Sequence, residues 1–363
     1  MRATLFATTA LALASLPNVA RAGARPASPL YEANCQSPSW SPDGGRLSWE
    51  VNDHEKRTVS TYVYTPGQGP PRRVMPGGRS ASSSLTAGFS GSTAPAVAQE
   101  LSWSPAATGR FVYSAATDSR DYDLFLDTGT PLAVAPGVDG GPSWSPDGKA
   151  IVFTSGRSGQ GDLYLLDVGA LDRPPRLLVS SPTTSEVFAS WSPDSRRLVF
   201  VSHTEQGDEI QLVSDLASPS PRALTSWGHT QTRPRFSPDG AWIAFYSNHL
   251  KSDRFDLYVM PSSGGEPKLI ASGVVLNSRG PSWTPDSSRL VYVLDDDNRL
   301  DPVMSAPLNN PTAAVVVATG TVGNGDTDVA RGTDGKVWLA VAAQGKVGDE
   351  SRTFKRIYVM ELP

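Results

Sequence analysis

The stretch Gly141-Pro142-Ser143-Trp144-Ser145-Pro146-Asp147-Gly148-Lys149-Ala150-Ile151-Val152-Phe153-Thr154 reads as an extended piece, a turn and a second extended piece. Ser145-Pro146-Asp147-Gly148 fits a type I turn. Proline presets φ at the second position, the aspartate side chain caps the turn and glycine closes it. Ala150 to Thr154 is β-branched and aromatic, which is strand chemistry. A polar loop follows from Gly156 to Gly161, then Asp162-Leu163-Tyr164-Leu165-Leu166-Asp167 as a third strand. Pro175-Arg176-Leu177-Leu178-Val179 supplies a fourth, the most exposed of the set.

The phrase recurs. Trp40-Ser41-Pro42-Asp43-Gly44 is a full copy, variants start at Trp103, Trp191, Phe236 and Trp283, and a worn copy ends in Asp334-Gly335. Self-similarity at a period of roughly 40–50 residues marks a propeller or solenoid. Four short antiparallel strands per period make one propeller blade. The fold expected is therefore all-β: one propeller of four-stranded antiparallel blades. The count favours seven blades, with six as the alternative. The seventh copy offers Lys336-Val337-Trp338-Leu339 and Arg356-Ile357-Tyr358-Val359 and lacks a fourth strand. Leu30-Tyr31 is expected to pair there and remove the open edge. Residues 79–99, rich in Ser, Ala, Gly and Thr, read as a flexible surface insertion.

The N-terminus reads as a targeting segment. Met1-Arg2 is a short basic start, an apolar run extends from Leu5 to Leu16, and Ala20-Arg21-Ala22 has the small-x-small pattern of a signal-peptidase site. The expectation is a signal peptide over 1–22, cleaved after Ala22, and a propeller domain over 23–363. No other run is long enough to cross a membrane. The mature chain is then expected to be a soluble monomer, periplasmic or secreted. Cleavage takes the formal charge from −4 to −6, since 30 basic side chains remain against 36 acidic ones. That balance argues against a nucleic-acid surface. The one cysteine, Cys35, has no internal partner and reads as a buried small hydrophobe.

These repeats resemble the TolB-type β-propeller family, a relative of WD repeats. The residues that carry the resemblance are Trp-Ser-Pro-Asp-Gly, the apolar-x-aromatic strand and the Asp-Leu-Tyr strand. The fullest copy runs from Arg235-Phe236-Ser237-Pro238-Asp239-Gly240 to Phe255-Asp256-Leu257-Tyr258-Val259-Met260. The family's namesake is a periplasmic protein that binds a peptidoglycan-associated lipoprotein and carries an α/β domain ahead of its propeller. Here the first repeat begins soon after the leader, so a member without that domain is expected. Similar propellers occur in oligogalacturonate lyases and in prolyl-oligopeptidase-type hydrolases. The resemblance thus implies a fold more than an activity.

The chemistry-bearing residues are sparse. No Gly-x-Ser-x-Gly occurs, and Gly156-Arg157-Ser158-Gly159 sits in a polar loop. His54, His203, His229 and His249 are far apart and lack metal-ligand spacing. A lyase acting on an acidic polysaccharide needs carboxylate neutralisation and a base, for which His229, Arg233 and Arg279 are the candidates. No cofactor is expected. A divalent cation such as calcium is the alternative, with Asp326 and Asp328 (beside Asn324) or the Asp295-Asp296-Asp297-Asn298 run as oxygen donors. Residues just ahead of each motif aromatic should fall near the propeller axis: Gln99, Glu100, Asp139, Glu186, His229, Arg233, Arg279, Asp326 and Asp328. Their charge changes from blade to blade while the motif stays fixed. The expected function is a non-enzymatic binding module that reads a protein or a cell-envelope glycan with this ring. A sensor or accessory subunit of an envelope complex is a further alternative.

Overall fold

The computed structural model describes residues 28–55, 58–74, 97–105, 109–116, 122–296, 300–346 and 354–362. The leader, its cleavage site and residues 79–96 of the insertion lie outside them, as do Asp297 and Asn298.

Seven antiparallel sheets form a seven-bladed propeller; six have four strands and the last has three. Strand order within each blade follows the chain, so consecutive strands pair through hairpins. The inner strands are Cys35–Trp40, Val97–Trp103, Asp139–Trp144, Ser185–Trp191, Gln231–Phe236, Ser282–Trp283 and Thr321–Arg331, in blades 1 to 7. Apolar side chains of adjoining blades merge into shared cores. One of these joins Val112 and Leu124 of blade 2 to Trp144, Ile151 and Phe153 of blade 3. Sheets packed face to face around a ring leave only short outer edges.

The motif builds the turn from inner strand to second strand. The Ser145 hydroxyl donates to Asp147 Oδ1 at 2.7 Å and accepts the Ala150 amide at 2.9 Å. Asp147 Oδ1 also accepts the Lys149 amide at 3.1 Å. The same set recurs around Ser192/Asp194, Ser237/Asp239 and Thr284/Asp286. In Asp194 and Asp286 the hydroxyl donor leads in holding the carboxyl below its ordinary range. In Asp147 and Asp239 burial opposes the hydroxyl and amide donors and is outweighed by them.

Two copies end in serine instead of glycine. Ser195 and Ser287 sit at φ +60° and +61°, where glycine is the usual residue. The compensation is a bond between blades. Ser195 Oγ accepts the Asp147 amide and Ser287 Oγ the Asp239 amide, both at 2.9 Å. These serines clip the motif turns of blades 3 and 4, and of blades 5 and 6.

The ring closes where the sequence places it. Tyr31 forms an antiparallel bridge with Ile357, in the third strand of blade 7, and the Leu30 amide donates to Ile357 O at 2.7 Å. Tyr31 packs against Trp49 and Tyr62 of blade 1, with centroids 5.3 and 4.9 Å away. The segment thus covers the edge of the last blade and anchors in the first. Cys35 is buried beside this closure, and burial pushes its thiol up to about 12. Gly44 (φ +63°) meets blade 7 so closely that a Cβ there would lie 2.2 Å from Arg331 O.

Gly44→Ala and Gly335→Ala separate closure from backbone strain. Both glycines have positive φ, and nothing lies within 4 Å of a Cβ built at Gly335. Gly335→Ala should lower stability by about 1 kcal/mol, the left-handed penalty alone. Gly44→Ala should lower it by about 3 kcal/mol or more, because backbone must move. Equal losses in denaturant unfolding would refute the seam assigned to blades 7 and 1.

Candidate functional site

The inner strands share one irregularity. In blades 1 to 5 the pairing of inner and second strand slips by a bulge at Gln36/Ser39, Gln99/Ser102, Gly140/Ser143, Val187/Ser190 and Thr232/Arg235. The residue three before each motif aromatic then takes a left-handed backbone: Ser37, Glu100, Gly141, Phe188 and Arg233, all between φ +53° and +57°. Gly280 (φ +92°) holds the same place in blade 6. For Ser37, Glu100, Phe188 and Arg233 this conformation costs on the order of 1–3 kcal/mol each. The gain is direction, because a bulge re-aims the side chain it carries.

All five bulge residues of blades 1 to 5 line one central cavity of about 490 Å³, together with Glu50, Arg235, Ser278, Arg279 and Asp328. Arg233 lies over the Phe188 ring, 4.1 Å from its centroid, and donates through Nη1 to Ser278 O. Arg279 reaches across the axis from blade 6 and donates to Leu101 O of blade 2. Burial lowers the pKa of Arg233, and neighbouring Arg279 adds to that, while Glu100 and Asp326 act the other way.

The carboxylates around the cavity are bound to main chain. Glu50 Oε1 accepts the Glu100 amide at 2.8 Å, and Glu100 Oε2 accepts the Gly141 amide at 2.6 Å. Asp326 accepts the Ser37 amide at 2.8 Å with one oxygen and the Ser278 amide at 2.7 Å with the other. Asp328 accepts the Trp40 amide at 2.7 Å and lies 3.8 Å from Arg235. Each bond joins one blade to another. Asp326 and Asp328 therefore act as staples between blade 7 and blades 6 and 1. Asn324 Oδ1 accepts the Thr321 hydroxyl of its own strand, and its Nδ2 donates to Asp301 O at 2.8 Å. Asp296 accepts the Leu300 and Asp301 amides at 3.3 Å. Among the described residues no group of three or more His, Cys, Asp or Glu is placed to hold a metal ion.

The sequence-derived ring thus divides by depth. Glu100, Arg233, Arg279 and Asp328 line the cavity, and Asp326 stands just behind it. Asp139 and Glu186, five residues ahead of their aromatics, are each 1% exposed and lie between blades. Asp139 pairs with Arg157 at 2.7 Å. His229 is exposed and does not line the cavity, so the structure separates it from Arg233 and Arg279. Gln99 is placed on its strand by its backbone pairing with Ser114. Sequence reasoning missed Ser37 and Phe188. The signal was positional: three before the motif aromatic, whatever the residue type.

Residues 175–327 match the TolB beta propeller domain family. Over those residues the chain carries the TolB-type propeller repeat. A 71-residue stretch is 32% identical to the uncharacterized peptidase YuxL of Bacillus subtilis, covering 19% of this chain and 10% of that protein. Among solved structures, a puromycin hydrolase superposes on 92% of the chain (TM-score 0.60, 13% identity). A puromycin-hydrolyzing peptidase of Mycobacterium tuberculosis superposes on 91% (TM-score 0.59, 11% identity). The chain spans 53% of the length of each of those peptidases, and the likeness is one of fold.

Glu186 gives the propeller a pH signature. Burial raises its carboxyl to about 7, and the Asp162 carboxylate in blade 3 adds to the effect, against donors from Thr184 and Ser202. The folded state then holds a proton that the unfolded chain has released by pH 5 to 6. Stability from this group is full below the ordinary carboxylate range and is lost as pH rises through about 7. Glu186→Gln should leave the melting temperature near pH 4.5 little changed and raise it increasingly from pH 6 to 8. Parallel pH profiles of the two proteins would refute the assignment.

Proposed function

We propose that this TolB-type propeller is an exported, non-enzymatic binding module that captures a protein or glycan of the cell envelope through its central cavity. The observation that carries this reading is the left-handed ring. Five blades aim Ser37, Glu100, Gly141, Phe188 and Arg233 into one cavity from one repeated backbone position. A scaffold that repeats, with unlike side chains at its one strained and inward-facing position, is what selective recognition requires. The cavity lies in the size range of ligand sites. Export is supported by the basic start, apolar run and Ala20-Arg21-Ala22 of the leader.

Quantitative capture from a cell-envelope extract tests the reading. The wild-type chain and a Lys251→Ala control, altered at an exposed loop residue away from the cavity lining, should retain the same species. The double variant Phe188→Ala/Arg233→Gln should lose at least about tenfold of it, the effect of removing about 1.4 kcal/mol of contact energy. Equal retention by all three proteins would overturn the proposal.

A further inference from the structure

The cavity's polar groups are unequally committed. Glu50, Glu100 and Asp328 each accept a main-chain amide of a neighbouring blade. Arg235 stands beside Asp328 at 3.8 Å. Arg233 and Arg279 are different. Each gives one Nη to a neutral carbonyl, of Ser278 and Leu101 respectively. Among the described residues, neither has a carboxylate within 4.0 Å. Arg233 Nε and Arg279 Nη2 are buried and have no hydrogen-bond partner. Two guanidinium groups without a direct counter-charge, inside a partly enclosed space, leave a demand for an acceptor anion. Three carboxylates and three guanidinium groups line the cavity and Asp326 stands just behind it, so a second negative charge on a ligand would meet an excess of acids. That selects a monoanion over a dianion. Beside the arginines, Phe188 offers a ring that is 37% exposed.

We propose that the cavity binds a small organic monocarboxylate, its carboxylate between Arg233 and Arg279 and its apolar body against Phe188. This rests on the reading of the cavity as the binding site. Planar guanidinium groups match a carboxylate in geometry as well as charge. The aromatic ring adds contact area without a further charge.

Benzoate is the probe, with benzamide, acetate and phenylphosphonate as controls, titrated into the full chain by calorimetry and by melting temperature. Benzoate should bind at one site and raise the melting temperature with concentration. Benzamide, which has the ring without the charge, should not. Phenylphosphonate at pH 8, a dianion, should bind at least about tenfold more weakly than benzoate, a gap of about 1.4 kcal/mol. Arg233→Gln and Arg279→Gln should each weaken benzoate by about tenfold or more. Should either glutamine variant fail to fold, Phe188→Ala decides: it should weaken benzoate and leave acetate unchanged. Equal binding of benzamide and benzoate, or benzoate binding unaltered in the arginine variants, overturns the proposal. Silence towards benzoate with cavity-dependent envelope capture intact overturns the carboxylate and leaves the binding module standing. Loss of both overturns both.

Discussion

A carboxylate oxygen accepting a main-chain amide from the next blade is the interaction on which this ring depends. Asp326 and Asp328 make it from blade 7 to blades 6 and 1, Glu50 from blade 1 to blade 2, and Glu100 from blade 2 to blade 3. Inner strands of neighbouring blades do not share a sheet, so their amides at the bulges would otherwise lack acceptors. A charged acceptor makes such a bond about twice as strong as a neutral one. The staples sit at the axis, where the blades converge and small rotations would change the cavity most. They fix its wall, and the arginines work against that wall.

Acids and cations at the axis are therefore separated by what they bind. Acids at the axis serve the main chain, and cations at the axis keep unmatched donors. For Glu100, Arg233 and Arg279 the sequence alone gives the same apparent role, because each precedes a motif aromatic and each is charged. Only the partner distinguishes them, and for the acids the partner is backbone, which carries no sequence signature.

The scaffold is largely legible in the sequence. Turn chemistry at Ser145-Pro146-Asp147-Gly148, the period, and the missing fourth strand of the last copy led to seven blades and to closure at Leu30-Tyr31. The site was legible in part. Glu100 and Arg233 stood out by charge, but Phe188 reads as an ordinary strand aromatic, and Asp139 and Glu186 sit two residues too early to reach the cavity. Alternation along a strand gives two faces, and a bulge resets which face is which. The bulge here occurs at Ser, Glu, Gly, Phe and Arg alike, so no propensity announces it. It follows from position within the repeat, three residues before the motif aromatic.

Ser195 and Ser287 have one more implication. Their bonds group the blades in couples, third with fourth and fifth with sixth. An odd circle cannot be divided wholly into couples. The seventh, first and second blades remain, and Leu30 and Tyr31 meet Ile357 within that sector. There the propeller is fastened by the bridge at Tyr31, the Gly44 contact and the acids of blade 7, not by turn-to-turn clips. The blades are thus joined around the ring in two ways: by serine clips between turns within two couples, and by chain closure and main-chain-bound acids in the remaining sector.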